Sequence, residues 1–152
     1  MALKKGTKAP EIKLKSTAGT DFQLSRDMAG KPCIIYFYPK DFTPGCTEEA
    51  CNFRDAFAEF RGLDIDIFGI SRDSVKSHEK FRAAHQLPFH LLSDHTGAVC
   101  KKYDALVPLI GVPKRITYLL DAEHRIAAFY QDMFGARKHV EQMIKNLKQA
   151  NN

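Results

Sequence analysis

The longest unbroken apolar run in the chain is Cys33-Ile34-Ile35-Tyr36-Phe37-Tyr38, and Pro39 ends it at once. Six residues are far too few for a membrane-spanning helix, which needs ~20. Rich in β-branched and aromatic side chains, the run has the pattern of a central strand buried on both faces. Such a strand requires a sheet with helices packed on either side. The 152 residues are the usual size of one domain, expected here over 1–152. A chain of this length buries about two thirds of its unfolded surface, so it needs no disulfide staples.

Upstream, Ile12-Lys13-Leu14-Lys15 and Phe22-Gln23-Leu24 alternate around Thr17-Ala18-Gly19-Thr20, which predicts an N-terminal β-hairpin. Over residues 46–61 the period becomes helical, with Ala50, Phe53, Phe57 and Phe60 in one apolar stripe. Residues 65–70 read as a second strand. A helix is expected over 74–85 with Asp73 as its N-cap, then a short strand at 89–92 and a short helix at 96–103. Residues 115–120 and 125–130 pair across the turn Asp121-Ala122-Glu123-His124, and a last helix over 136–149 buries Val140, Met143, Ile144 and Leu147. Strands alternating with helices, closed by a hairpin and a helix, predict an α/β protein. Its central mixed sheet is flanked by helices in the element order of the thioredoxin-like fold.

Lys plus Arg exceed Asp plus Glu by 23 − 18 = +5. These basic residues are scattered: the tightest groups are Lys4-Lys5, Lys101-Lys102 and Arg137-Lys138-His139. A solvated, mildly basic surface is therefore expected, with no nucleic-acid partner and no membrane partner. No apolar segment follows the basic start at residues 1–6, so a secretory signal is not expected and the protein reads as cytoplasmic. In that reducing compartment the four cysteines, Cys33, Cys46, Cys51 and Cys100, are not expected to be structural disulfides.

The chemistry concentrates between Tyr38 and Asp55, at the C-terminal end of the core strand, where open α/β sheets bind ligands. Pro44 and Gly45 make a turn, and Cys46 then falls in the first turn of a helix. Unpaired N–H groups and the positive end of the helix dipole there favour thiolate over thiol. Thr43 offers a hydroxyl that can bond the sulfur or orient an oxygen substrate. A buried hydrophobe near a helix start is the plain alternative for Cys46, yet burial alone does not call for the Phe42-Thr43-Pro44-Gly45 lead-in. Packing is a stronger alternative for Cys51, flanked by Ala50 and Phe53, and Cys33 and Cys100 read as inert packing. Four residues separate Cys46 from Cys51, so a Cys-x-x-Cys dithiol does not fit. No second ligand pair suits zinc, and no phosphate-binding glycine loop is present. A hydrolase using a Cys–His pair stays open, because six histidines are present.

Pro39-x-x-x-Thr43-x-x-Cys46 resembles the active-site motif of the peroxiredoxins. The string Tyr38-Pro39-Lys40-Asp41-Phe42-Thr43-Pro44-Gly45-Cys46-Thr47, with Cys51 and Phe53-Arg54-Asp55, resembles the bacterioferritin comigratory protein, or peroxiredoxin Q, branch. Further blocks at 69–73, 91–94 and 115–121 resemble it too. The resemblance implies a thiol peroxidase that reduces hydrogen peroxide and organic hydroperoxides with no metal or organic cofactor. It makes Cys46 the peroxidatic cysteine and Cys51 a resolving cysteine that joins it in an intrachain disulfide. Thr43 and Arg115 then hold the peroxide oxygens and stabilise the thiolate, Pro39 shields the site, and Glu49 orients Arg115. Thioredoxin or a similar dithiol is the implied reductant, and a monomer is expected. Residues 103–113 are shorter and less glycine-rich than in many members. On the residues alone, a thiol-based redox sensor or binding protein without turnover is the rival.

Overall fold

The apolar run is the central strand β3 (Cys33–Phe37), fully buried along its length. The structure, a computed structural model, describes residues 2–133 and 135–150, of which 136 and 150 by backbone only. The ends of the expected domain, residues 1 and 151–152, lie outside the described residues. Before β3 come β1 (Lys13–Ser16), β2 (Asp21–Gln23) and a short helix α1 (Leu24–Asp27). After it follow α2 (Pro44–Asp55), α3 (Phe57–Gly62), β4 (Asp66–Ser71), α4 (Val75–Ala84), β5 (His90–Ser93) and α5 (Ala98–Lys102). The chain closes with β6 (Ile116–Leu120), β7 (Ile126–Gln131) and α6 (Ala136–Ala150).

Among the described residues, seven strands form one sheet in the order β2-β1-β5-β4-β3-β6-β7. β3 runs parallel to β4 and β4 to β5, while β6 is antiparallel to β3. This is the mixed sheet of the thioredoxin-like fold. Because successive strand residues point to opposite faces, β3 feeds two cores. Cys33, Ile35 and Phe37 join Ile116, Tyr118 and Leu120 beneath α1 and α5. Ile34 and Tyr36, with Tyr38, join Phe53, Phe60, Phe81, Val140 and Met143 of the helices on the other face. Gly69 of β4 makes the second core possible, since a Cβ there would lie 2.8 Å from the Tyr36 hydroxyl.

The helix expected over 46–61 is two pieces broken at Ala56, whose N–H bonds to the Asn52 carbonyl. The break lets Phe60 bury fully beside Phe53, at 6.0 Å between ring centroids, and leaves Phe57 only half-buried. α4 is capped by Ser74, whose side chain accepts from the Ser77 N–H. Asp73 does not cap it, because its carboxylate is committed elsewhere: it accepts from the Asp41 N–H and the Ser71 hydroxyl.

Candidate active site

Cys46 sits in the first turn of α2, third in the helix after Pro44 and Gly45, and is 1% exposed. Proline at the first helical position has the right φ already set and no N–H to leave unpaired. Thr43 is the N-cap residue, and its carbonyl accepts the first helical bond from the Thr47 N–H. Its hydroxyl donates to the Lys40 carbonyl 2.8 Å away, not to the sulfur as the sequence suggested, so only its lone pairs face a further partner. No side chain caps α2. The Gly45 and Cys46 amides therefore lie ahead of the helical ladder, as donors at the positive end of the dipole.

Arg115 comes from just before β6, the strand next to β3, so sheet register carries it to the helix start. It is buried and its guanidinium is fixed on three sides. Nε donates to the Met133 carbonyl at 2.9 Å, Nη1 to Glu49 Oε1 at 2.7 Å, and Nη2 to Cys46 Sγ at 3.3 Å. A fork held at both ends presents its cation to sulfur with little freedom left to lose. The carboxylate and sulfur around it hold the Arg115 pKa above its ordinary value despite burial. Arg115 is thus a permanent positive charge against the thiol.

Gly45 permits that approach. A Cβ on it would lie 2.9 Å from Arg115 Nη2, inside the contact limit. Gly45→Ala is expected to push the guanidinium off the sulfur and slow the reaction of the thiol with hydrogen peroxide about tenfold. Stopped-flow rates for the two proteins check this, and a rate within twofold of wild type would show that the guanidinium shifts without consequence.

Behind Arg115 the polar chain continues. Glu49 is fully buried on the inner face of α2, and burial pushes its carboxyl up to about 8 against the pull of Arg115. Its second oxygen has no hydrogen-bond partner and lies 3.6 Å from Nδ1 of the buried His139. His139 bonds the Thr117 hydroxyl through Nδ1, at 2.8 Å, and the Asp132 carbonyl through Nε2, also at 2.8 Å. Burial, reinforced by Arg115, pushes this imidazole down to about 4. A folded-state value below the unfolded one means that the unfolded chain binds the proton first. Stability from this group is present above pH ~6.5 and is lost as pH falls towards 4. Going from pH 7 to pH 4.5, wild type should lose roughly 2 kcal/mol more than His139→Gln in urea unfolding. Equal losses in the two proteins would remove His139 from the account.

The other expected residues are placed as follows. Cys51 is half-buried on the same helix as Cys46, and all four cysteines are free thiols. Burial pushes Cys33 up to about 12, and burial with Asp94 pushes Cys100 up as well, so both are held as thiols. Pro39 follows β3 and lines a cleft of about 450 Å³ with Lys40, Arg72, Asp73, Ile110 and Pro113. Cys46 does not line it. The loop at 106–113 is pinned by Arg72, whose Nη1 donates to the Gly111 carbonyl at 2.8 Å. The grouping of possible metal ligands among the described residues, Asp41, Asp73 and His78, includes neither Cys46 nor Arg115. The roles of Gly45, His139 and Thr117 were not readable from the sequence, because a close approach and a buried pairing depend on which strands are neighbours.

Residues 5–129 match the model of the AhpC/TSA family. A chloroplastic peroxiredoxin Q of Sedum lineare is 40% identical over 145 residues, covering 95% of this chain and 77% of that one. A putative peroxiredoxin bcp of Coxiella burnetii is 42% identical over 136 residues, covering 86% and 89%. Among solved structures, the peroxidoxin BcpB of Mycobacterium tuberculosis superposes with a TM-score of 0.90 at 31% identity, covering 97% of each chain. These relatives make the protein a thiol peroxidase acting on hydroperoxides, and the buried thiol at a helix start, met by an arginine from just before β6, fits that class. The chain belongs to the AhpC/TSA family of peroxiredoxins, in the company of its peroxiredoxin Q and bacterioferritin comigratory protein members. No helix among the described residues is long and apolar enough to cross a membrane.

Proposed function

We propose that Cys46 is the peroxidatic thiolate and Cys51 its resolving partner in a single-domain, cytoplasmic and monomeric enzyme recycled by thioredoxin or a similar dithiol. The observation that carries this reading is the 3.3 Å contact from Arg115 Nη2 to Cys46 Sγ in a buried helix start. The thiolate attacks the terminal oxygen of a hydroperoxide along the O–O bond. The S–O bond forms as O–O breaks, and the departing alkoxide or hydroxide takes a proton and leaves as alcohol or water. Charge developing on both oxygens is met by Arg115 and the free Gly45 and Cys46 amides, an oxyanion-type stabilisation. With its proton committed to Lys40, the Thr43 oxygen accepts a hydrogen bond from the peroxide O–H. Pro39 and the neighbouring residues shield the sulfenic acid from bulk water.

Cys51 then attacks the sulfenic sulfur, releasing water and forming the disulfide, and a dithiol reductant restores both thiols through a mixed disulfide. In an intact helix two residues five apart have Cα atoms ~8.6 Å apart. A disulfide needs them within about 7 Å. The first turns of α2 therefore unwind before Cys46 and Cys51 bond, which also brings the disulfide to the surface for the reductant.

The test is steady-state peroxide consumption by a catalytic amount of protein with thioredoxin, thioredoxin reductase and NADPH. Sustained turnover is expected. Consumption of one equivalent followed by a halt would favour the rival reading, a redox sensor that is oxidised but not recycled.

A further inference from the structure

One buried polar cluster takes no part in the site described above. It joins Tyr38 and Asp41, in the turn between β3 and α2 upstream of Cys46, to Ser77 and His78 of α4. Asp41, 4% exposed, accepts on Oδ1 from the Tyr38 hydroxyl at 2.6 Å and on Oδ2 from the Ser77 hydroxyl at 2.9 Å. His78 Nδ1 lies 2.7 Å from the same Oδ2. The other ring nitrogen, Nε2, lies 3.0 Å from the Leu92 carbonyl of β5. Both nitrogens of a fully buried ring thus have polar partners, Nδ1 also lying 3.4 Å from the Tyr38 hydroxyl. The geometry is that of a buried imidazole hydrogen-bonded to a carboxyl group, with Asp73 the further acid within 4.8 Å. A second set of contacts binds the same turn: the Asp41 N–H donates to Asp73 at 2.9 Å, and the Phe42 ring packs against Phe81 at 5.1 Å. Phe42 itself holds φ at +65°, a backbone region unfavourable for a residue with a Cβ.

All these partners belong to α4, β5 or the residues between β4 and α4; none belongs to α2. The helix that carries Cys46 begins two residues after the strained position and has no side-chain cap of its own. Its start is held in place from upstream. We infer that Asp41 and His78 are positioning residues for Cys46: their buried pair clamps the 38–43 turn to α4 and so keeps the uncapped start of α2 where Arg115 meets the sulfur. The inference rests on the reading of Cys46 as the reacting thiol, and adds that the clamp sets how readily the helix start unwinds. The clamp stays on α4 while the turns beyond Pro44 open. Loosening it favours the open state, so attack on peroxide slows while formation of the disulfide does not.

Amide hydrogen exchange on the fully reduced protein tests this without any disulfide, so its outcome is independent of whether Cys51 resolves Cys46 or any turnover occurs. In His78→Gln, amides 47–50 should exchange about tenfold faster than in wild type, the loss of one buried hydrogen bond, while those of β3 and β6 are unchanged. Stopped-flow on the same variant should show a comparable drop in the rate with hydrogen peroxide and no drop in the later disulfide step. Tyr38→Phe, which keeps the ring and removes one donor to Asp41, should show the same pattern in smaller measure and decides the matter if His78→Gln does not fold. Unchanged exchange at 47–50 in a folded variant would overturn the inference. So would uniform acceleration across the sheet, which would make the pair a general contributor to stability and no more.

Discussion

Cys46→Ser should lose peroxide reduction by a factor on the order of 10⁴ or more, because no other thiol can take over. A hydroxyl in the same place is a poor nucleophile towards oxygen at neutral pH, and it cannot form the sulfenic acid from which the cycle continues. The remaining cysteines lack the setting. Cys33 is buried at the start of β3 with its thiol pushed up to about 12, and Cys100 is buried beside Asp94, which disfavours its anion further. Cys33→Ser and Cys100→Ser are therefore expected to keep most of the activity. Cys51→Ser should still consume the first equivalent of peroxide at the wild-type rate and then stall. Initial rates for the four variants, each against hydrogen peroxide, check the set. Substantial turnover in Cys46→Ser would remove the mechanism.

Arg115→Met is the next largest effect, expected to slow peroxide attack by on the order of a hundredfold or more, the scale of losing one preorganised donor at a developing oxyanion. Methionine keeps the apolar stem and deletes the charge, so the sulfur loses the cation 3.3 Å away and Glu49 loses the partner that holds it at 2.7 Å. Alkylation of Cys46 by iodoacetamide at neutral pH should slow as well, since thiolate is the reacting form. Arg115→Lys should recover only part of the rate. A point ammonium cannot reach the Met133 carbonyl, Glu49 and the sulfur together as the fork does. An unchanged rate in Arg115→Met would place the guanidinium outside the chemistry, whatever its distance.

The sequence was most legible where one period governed a whole element. The 33–38 run read as a doubly buried strand because nothing polar interrupts it, and alternation and heptad-like spacing gave the flanking elements to within a few residues. It was less legible where a side chain had two possible employers. Asp73 precedes α4 as an N-cap should, but its carboxylate serves Ser71, two residues away, and Asp41, 32 residues away, a contact that no local pattern announces. The break at Ala56 has no proline or glycine to mark it and follows from how Phe53 and Phe60 share one core. At the site, Cys46 and its helix start were readable because thiol, turn and helix lie within a few residues. Arg115 could be named only through resemblance, 69 residues away in sequence. Gly45, His139 and the Asp41–His78 pair needed the sheet order, since their meaning lies in what the neighbouring strand or helix brings against them.

Disulfide mapping after a single equivalent of hydrogen peroxide tests the central claim most directly. Reduced protein is oxidised, free thiols are blocked, and the linked peptides are identified by mass spectrometry alongside amide exchange of the oxidised form. The account predicts one bond, Cys46 to Cys51, with Cys33 and Cys100 still thiols and protection lost over the first turns of α2. A bond from Cys46 to Cys33 or Cys100, or a Cys46–Cys51 bond with α2 as protected as in the reduced protein, would contradict it.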